Sequence, residues 1–447
     1  MNKRLFISIF AILASSSCVY SQSKSSADSI PSLNLDQCIA YGLEHQPGVL
    51  ESFIGISIAK KTNEINLSGW LPQLNASGNF NHYIELPTGF SANSQGVETP
   101  VKTGIYNTLS PELTASESIF SPGLLFAAKS AHLLVQQAKQ ANDSSKINIV
   151  ATISTAFYNL LNTLEQINVL REDTAQFAKN VRDAYHQYVG GIVDKTDYEE
   201  ATITLNNSKA QLKQATLNVV PQYASLKQEM GFSPAKEFNV NFDTAQMAHT
   251  ITLDTTQQLQ YKNRIEYQLL ETAKSLQQQD INYYRYNFLP TISAFYTYNY
   301  EFENNSFPNL FSQAYPYSFI GASVTIPLFT GFARLESVQR AKLQGQILDL
   351  GEANLQSAIY SQYSSALANY KGNIYNLLMQ KQNVTMAKDV YGIVSVQYKQ
   401  GIIPYLNVIT AENNLVSSEI NYLNSLFQAL LSKVDLEKAM GNITPNH

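Results

Sequence analysis

Six histidines, two cysteines and six methionines are the residues of this 447-residue chain best suited to hold a metal, and their spacing argues against it. His45, His82, His132, His186, His249 and His447 are scattered, with no H-E-x-x-H and no cysteine pair to bring ligands onto one face. No Met or His cluster lines a helix face, so metal handling lacks donors as well. No G-x-x-x-x-G-K-[ST] loop offers backbone N–H groups to a phosphate, and no G-x-S-x-G elbow presents a nucleophile. Neither cofactor nor catalytic residue is expected. Tyr185, Tyr188, Tyr391 and Tyr398 read as packing or lining residues, and any work done on a substrate must draw its energy from a partner. Thirty Lys and Arg against 35 Asp and Glu give a net charge of −5, which disfavours nucleic acid as that partner.

The elements that position the remaining motifs are few and long. Charged residues are 15% of the chain against a usual ~25%, and Gly (20) and Pro (15) are scarce. Hydrophobic residues at 44% are too few for a bundle of membrane-spanning helices. Lys3 and Arg4 precede the apolar run from Leu5 to Ala14, and Val19-Tyr20-Ser21 offers a cleavage site before Gln22, so residues 1–21 read as an export signal. Cys18 then leaves with the signal and Cys38 is the only thiol. The alternative, a lipidated Cys18, prefers an aliphatic residue three positions earlier, where Ser15 stands.

The chain repeats itself. Trp70-Leu71-Pro72 is answered by Phe288-Leu289-Pro290, Ile119-Phe120-Ser121 by Leu328-Phe329-Thr330, Tyr188 to Val193 by Tyr398 to Ile403, and Met230-Gly231 by Met440-Gly441. The offset is about 210 to 218 residues in every case, too long for short solenoid units, and marks a tandem duplication. Residues 22–231 form the first repeat, 232–253 a connector at the equator, and 254–447 the second repeat. Leu355, Ile359, Tyr363, Ala366, Tyr370, Ile374 and Leu377 step by threes and fours, and Ala387, Tyr391, Val394 and Tyr398 continue the stripe. That predicts a helix of roughly 68 residues, about 100 Å long, and an equivalent run from Leu124 to Tyr188. A returning stripe over Ile409, Glu412, Val416, Ile420, Leu423, Phe427, Leu430 and Val434 carries one acid at a seam position. Gly190-Gly191 and Gly401 supply the positive φ that ends a helix, so the segments around them read as hairpin tips.

Two segments per repeat alternate instead. Ile292, Ala294, Tyr296, Tyr298, Tyr300 and Phe302 share one strand face, and Thr291, Ser293, Thr297, Asn299, Glu301 and Glu303 the other, with Phe295 the exception. Ile320, Ala322, Val324, Ile326 and Leu328 alternate with Phe319, Gly321, Ser323 and Thr325, and Leu74 to Leu86 and Asn107 to Phe120 are the first-half counterparts. Segments 87–106 and 304–317 read as the intervening loops. Such lengths suit strands crossing an outer membrane, apolar towards lipid and polar towards a lumen. Four strands cannot close a barrel and open edges are not tolerated in lipid, so several copies must share one; three give twelve strands. The fold class expected is mainly α with β: duplicated helical hairpins forming a tunnel, on a shared trimeric barrel.

In order and spacing, Leu33-Asn34-Leu35 before a helix, the two Leu-Pro lead-ins to strands, the Leu328 to Gly331 exit and both Gly-centred tips resemble the TolC-type outer-membrane efflux family over nearly all of the mature chain. The resemblance implies a homotrimer in outer-membrane lipid that serves as exit duct of a tripartite efflux or type I secretion system. Its partners would be a periplasmic adaptor (membrane fusion) protein and an inner-membrane pump of the resistance-nodulation-division kind. It also implies that Val189, Gly190, Gly191, Ile192, Val193, Gln400, Gly401, Ile402 and Ile403 meet the adaptor. A periplasmic gate follows the second tip. Where the family often has Asp-Val-Leu-Asp, this chain reads Asn407-Val408-Ile409-Thr410, so the ring would be polar and weakly charged. Asp197, Glu200 and Glu412 keep open the alternative of an acidic gate displaced by a few residues. A secreted coiled-coil surface protein is the competing expectation for the whole chain.

Overall fold

In the computed structural model the residues described are 31–92, 96, 98–241, 251–253 and 257–444; the export segment 1–21 with Cys18, and Phe242 of the connector, lie outside them. The chain begins with β1 (Ser32–Leu33), α1 (Leu35–His45) and α2 (Pro47–Leu67). Asn34 starts α1 through a reciprocal cap: its Oδ1 accepts from the Gln37 N–H at 2.9 Å while Gln37 Oε1 accepts from the Asn34 N–H at 3.0 Å. Pro47, at the first helical position, cannot donate and need not. Strand β2 (Gln73–His82), a short hairpin of β3 (Thr88–Ala92) and β4 (Glu98–Lys102), and β5 (Asn107–Phe120) follow. Then come α3 (Pro122–Val189) and α4 (Lys195–Met230), the 68-residue α3 being about 100 Å long.

After β6 (Asn239–Val240), the same succession recurs as α5 (Ile265–Tyr286), β7 (Thr291–Asn304), β8 (Ala314–Thr325), α6 (Ala333–Lys399) and α7 (Tyr405–Met440). The long helices thus fall within a residue or two of the periodic stripes. The loops differ from expectation. Segment 87–106 contains the β3–β4 hairpin, whose five-residue strands, one holding Pro100, are too short to show alternation. Residues 314–317 belong to β8, with Pro316 opposite Tyr300. The strand in turn stops at Thr325, short of Ile326 and Leu328.

The antiparallel sheet runs β2-β5-β7-β8. Its register sorts every side chain onto one of two faces. One face holds Leu74, Ala76 and Phe80, then Leu109, Leu113 and Phe120 with Glu117 as the one acid, then Ile292, Ala294, Tyr296, Tyr298, Tyr300 and Phe302, then Ile320, Ala322 and Val324. The other holds Asn75, Ser77, Asn79 and Asn81 of β2, Thr108, Ser110, Glu112 and Thr114 of β5, and Thr297, Asn299, Glu301 and Glu303 of β7. On β8 that same face holds aromatic residues.

Below the sheet the four long helices pack lengthwise. Their main core joins Cys38 and Ile39 of α1, Ile153, Phe157, Leu160 and Leu161 of α3, Leu226 and Met230 of α4, and Leu426, Phe427 and Leu430 of α7. Phe238 and Ile251 of the connector close it, while β6 pairs in parallel with β1. Burying each of these large side chains contributes roughly 1.5–3 kcal/mol.

Helices α4 and α7 both end on a left-handed glycine, Gly231 at φ 65° and Gly441 at φ 75°. In each, the next residue's N–H returns to the helix, from Phe232 to the Lys227 carbonyl and from Asn442 to the Glu437 carbonyl. A Cβ on Gly231 would lie 2.8 Å from the His45 carbonyl oxygen, and one on Gly441 would lie 2.9 Å from that of Asn263. Both are backbone atoms that cannot step aside. Gly231→Ala and Gly441→Ala should therefore each destabilise the fold by more than the roughly 1–3 kcal/mol of a strained backbone alone, read as a lower thermal unfolding midpoint. Gly191→Ala, with φ 72° but open space around it, should show only that smaller loss. Equal midpoints for all three variants would remove the close approach as the cause.

Candidate functional site

Both hairpin tips are built alike. At the first, the Gly191 N–H donates to the Tyr188 carbonyl and the Ile192 N–H to that of Gln187; at the second, Gly401 donates to Tyr398 and Ile402 to Gln397. Gly191 (φ 72°) and Gly401 (φ 71°) carry the left-handed turn, whereas Gly190 is right-handed at φ −75°. The turn expected of the Gly-Gly pair thus rests on its second member. The tips push apolar side chains into solvent: Val189, Ile192 (77% exposed) and Ile402 (64% exposed). Gly190, Gly191, Gln400 and Gly401 are also exposed, while Val193 and Ile403 are half-buried behind them.

Just above, the two hairpins lock together. Ala184, Ala201, Tyr405, Val408 and Ile409 are buried with Val181, Tyr198, Tyr391, Val394 and Tyr398 packed on them. Tyr398 Oη donates to Gln187 Oε1 at 2.7 Å. Of the residues expected at a gate, Asn407 and Thr410 lie on the exposed side of α7, with Thr410 Oγ1 donating back to the Leu406 carbonyl at 2.9 Å. Asp197 and Glu200 are half-buried in the first turns of α4. Burial, then Glu200 and Asp194, pushes the Asp197 carboxyl above its ordinary value.

Glu412 is elsewhere. It is 4% exposed, and Asn180 Nδ2 donates to both its carboxylate oxygens at 2.8 and 3.0 Å, with Tyr391 Oη donating at 3.3 Å. Enclosed by the protomer's own side chains, it offers no free carboxylate to a constriction, and the displaced acidic alternative loses this member. Burial pushes its carboxyl up to about 7, opposed by the Asn180 and Tyr391 hydrogen bonds and reinforced by Asp173. Asp173 is itself pushed up to about 7 by burial, then by Glu419 and Glu172. Asn180, Gln187 and Asp173 had no signal in the sequence, because their partners on α6 and α7 lie more than 200 residues away.

Burial pushes the Cys38 thiol up to about 12, far from the thiolate. Among the described residues no three His, Cys, Asp or Glu side chains gather as metal ligands would.

Against known proteins, residues 43–231 and 258–442 match the outer membrane efflux protein family, and the chain belongs to it. It is 20% identical over 418 residues to the outer membrane protein TolC of Vibrio cholerae, covering 92% of this chain and 91% of that protein. Among solved structures, the outer membrane protein VceC of Vibrio cholerae superposes with a TM-score of 0.70 at 16% identity, over 91% of this chain and 96% of that one. CusC does so with a TM-score of 0.75 at 15% identity, over 92% of both chains. The fold is that of TolC-like channels, mainly α with β, and the protein resides in the outer membrane and extends into the periplasm. The family match speaks for the efflux reading and not for a secreted coiled-coil surface protein. In a membrane barrel generally, an apolar sheet face meets lipid and a polar face meets the lumen.

The raised Glu412 carboxyl makes the hairpin seam sensitive to pH. Its folded-state value lies above the ordinary 4.5, so the fold favours the neutral acid. The stabilisation is complete below about pH 4.5 and is lost as pH rises through 7. The unfolding midpoint of the mature protein should fall between pH 5.5 and pH 8. Glu412→Gln should flatten that slope and be the more stable form at pH 8 by up to about 3 kcal/mol, with Asp173 keeping a residual dependence. An unchanged slope in the variant would mean that this carboxyl is solvated in the working protein.

Proposed function

We propose that the protein is the outer-membrane exit duct of a tripartite efflux or type I secretion system, working as a homotrimer that passively conducts cargo handed on by a periplasmic adaptor protein and an inner-membrane pump. The single observation that carries the trimer is the sheet, whose strands β2 and β8 have no partner on their outer edges among the described residues. Twelve strands from three chains close the ring and satisfy those edges in lipid. The helices support the same reading. Leu343, Ile347 and Leu350, then Met386, Val390, Ile393 and Val396, form an exposed apolar stripe along α6, and Phe53, Ile54, Ile58 and Ile65 another on α2. Apolar stripes of this length are contact surfaces for neighbouring copies.

The adaptor would dock on the apolar tips, with Val189, Ile192, Ile402 and Ile403 as anchors and Gly190, Gly191, Gln400 and Gly401 shaping the turns. Asn407 and Thr410, with Asp197 and Glu200 beside them, would line a polar, weakly charged gate.

The mass of the protein part of the particle extracted in mild detergent tests the assembly: about three times the chain mass is expected, and a water-soluble monomer would sink the duct reading. Docking is tested separately with Gly401→Arg and Ile402→Glu. Both should abolish dye or drug export from cells while the particle mass stays that of the trimer, and retained export in both would refute the tips as the docking surface.

A further inference from the structure

We infer that the lumenal face of the barrel carries a stacking subsite for planar aromatic cations, formed by Tyr315, Tyr317 and Phe319 beside Glu301, Asn299 and Glu112; the inference rests on the duct reading above. Apart from Phe295 of β7, the other strands of the sheet carry no aromatic residue on this face, yet β8 presents three aromatic rings in succession, about 7 Å apart along the strand. All three are half-exposed. Phe295 of β7 extends the row: its ring packs edge-on against Phe319 with centroids 6.0 Å apart, over Gly321, where a Cβ would come within 2.6 Å of it. Glycine at 321 is thus what lets that ring lie flat on the sheet.

The charge beside the rings has no counter-ion. Glu301 is paired across the ladder with Tyr315, Asn299 with Tyr317, and Glu112 with Asn299 from the other side. Strands β2, β5, β7 and β8 contain no lysine or arginine. Among the described residues neither Glu112 nor Glu301 takes part in an ion pair; Thr114 Oγ1 donates to Glu112 at 2.6 Å, Ser110 Oγ reaches Glu301 at 3.5 Å, and the neighbouring acid Glu303 shares a hydrogen bond with Glu301. Between them Asn299, 4% exposed, keeps an Oδ1 that meets no donor. A buried amide acceptor without a donor, between two carboxylates and under aromatic rings, matches a ligand with a positive charge, N–H groups and a flat face.

The neighbouring strand does not fill the space. In the shared barrel, β8 would border β2 of a second copy, whose polar face offers Gln73, Asn75, Ser77, Asn79 and Asn81 and no aromatic or charged residue. These short side chains leave the rings open to passing cargo.

The test is block of the mature channel reconstituted in planar bilayers, with ethidium as the planar aromatic cation and spermidine as a cation without a ring. Ethidium should reduce the single-channel current of the wild type at lower concentration than spermidine. The half-blocking concentration of ethidium should rise about tenfold in Tyr315→Leu/Tyr317→Leu and severalfold in the isosteric Glu301→Gln, while Tyr315→Phe/Tyr317→Phe keeps the block. Tyr298→Leu, on the lipid face, should leave it unchanged. A conducting channel that ethidium does not block, or that both cations block alike whatever stands at 315, 317 and 301, overturns the subsite and leaves the duct reading standing. Absence of conductance together with a monomeric particle in mild detergent would overturn the duct itself.

Discussion

A sheet of four strands has two bare edges, and lipid offers nothing to hydrogen-bond to them. Each unmet backbone N–H or C=O in hydrocarbon costs several kcal/mol, so in an outer-membrane protein the outer edges of β2 and β8 are the constraint on which the rest depends. Closure has to come from further copies, and a ring of copies fixes where each remaining element must go. Helices α2, α3, α5 and α6 adjoin the strands at the sequence level with only short connections, so they inherit the ring. Their outward apolar residues then face neighbours and not water, which accounts for stripes on α2 and α6 that a lone chain leaves exposed.

Helices of 67 and 68 residues bring a second problem, because an apolar seam of that length can slip by a turn at little cost. Polar pairs placed along the seam remove that freedom. Asn162 and Gln166 of α3 both donate to Asn424 Oδ1 of α7, at 2.9 and 2.8 Å. Further down, Asn180 holds Glu412, and near the tip Gln187 holds Tyr398. A slip by one turn would leave these half-buried partners, and the buried Glu412, unmatched, and for the buried acid that costs about 1–3 kcal/mol or more. These contacts join the first hairpin to the second, so the relative position of the tips is set by hydrogen bonds that a helix shift must break together.

Much of this was legible in the residue pattern, for local reasons. The helix lengths follow from stripes at 3.6-residue period, and the tips from Gly191 and Gly401, because a left-handed turn needs glycine at the position itself. The strand faces followed from alternation, and even the exception, Phe295, proved to belong to the aromatic row. What failed was equally physical. Ala314 to Tyr317 read as an exposed loop with aromatic girdle residues, yet they open β8, with Pro316 opposite Tyr300. Pro111 sits in the interior strand β5, where the ladder to β7 is recorded on either side of Ser110-Pro111 and not across it. The burial of Glu412 was hinted at by its seam position, yet its partner Asn180 lies 232 residues away and no local rule could supply it.

A duct without an energy source can discriminate only through its static surfaces, and those surfaces must not hold what they meet. Conduction needs attraction strong enough to admit a solute and weak enough to release it. The polar face of the barrel satisfies this in an unusual way. Three half-exposed rings on β8 and unpaired carboxylates on β5 and β7 each attract a flat cation modestly, since exposed cation–π contacts are worth only about 0.5–1 kcal/mol. A deep, enclosed pocket of the same residues would trap cargo at the last step. Spreading the contacts along a strand, about 7 Å apart, instead lets a solute step from one ring to the next towards the outside.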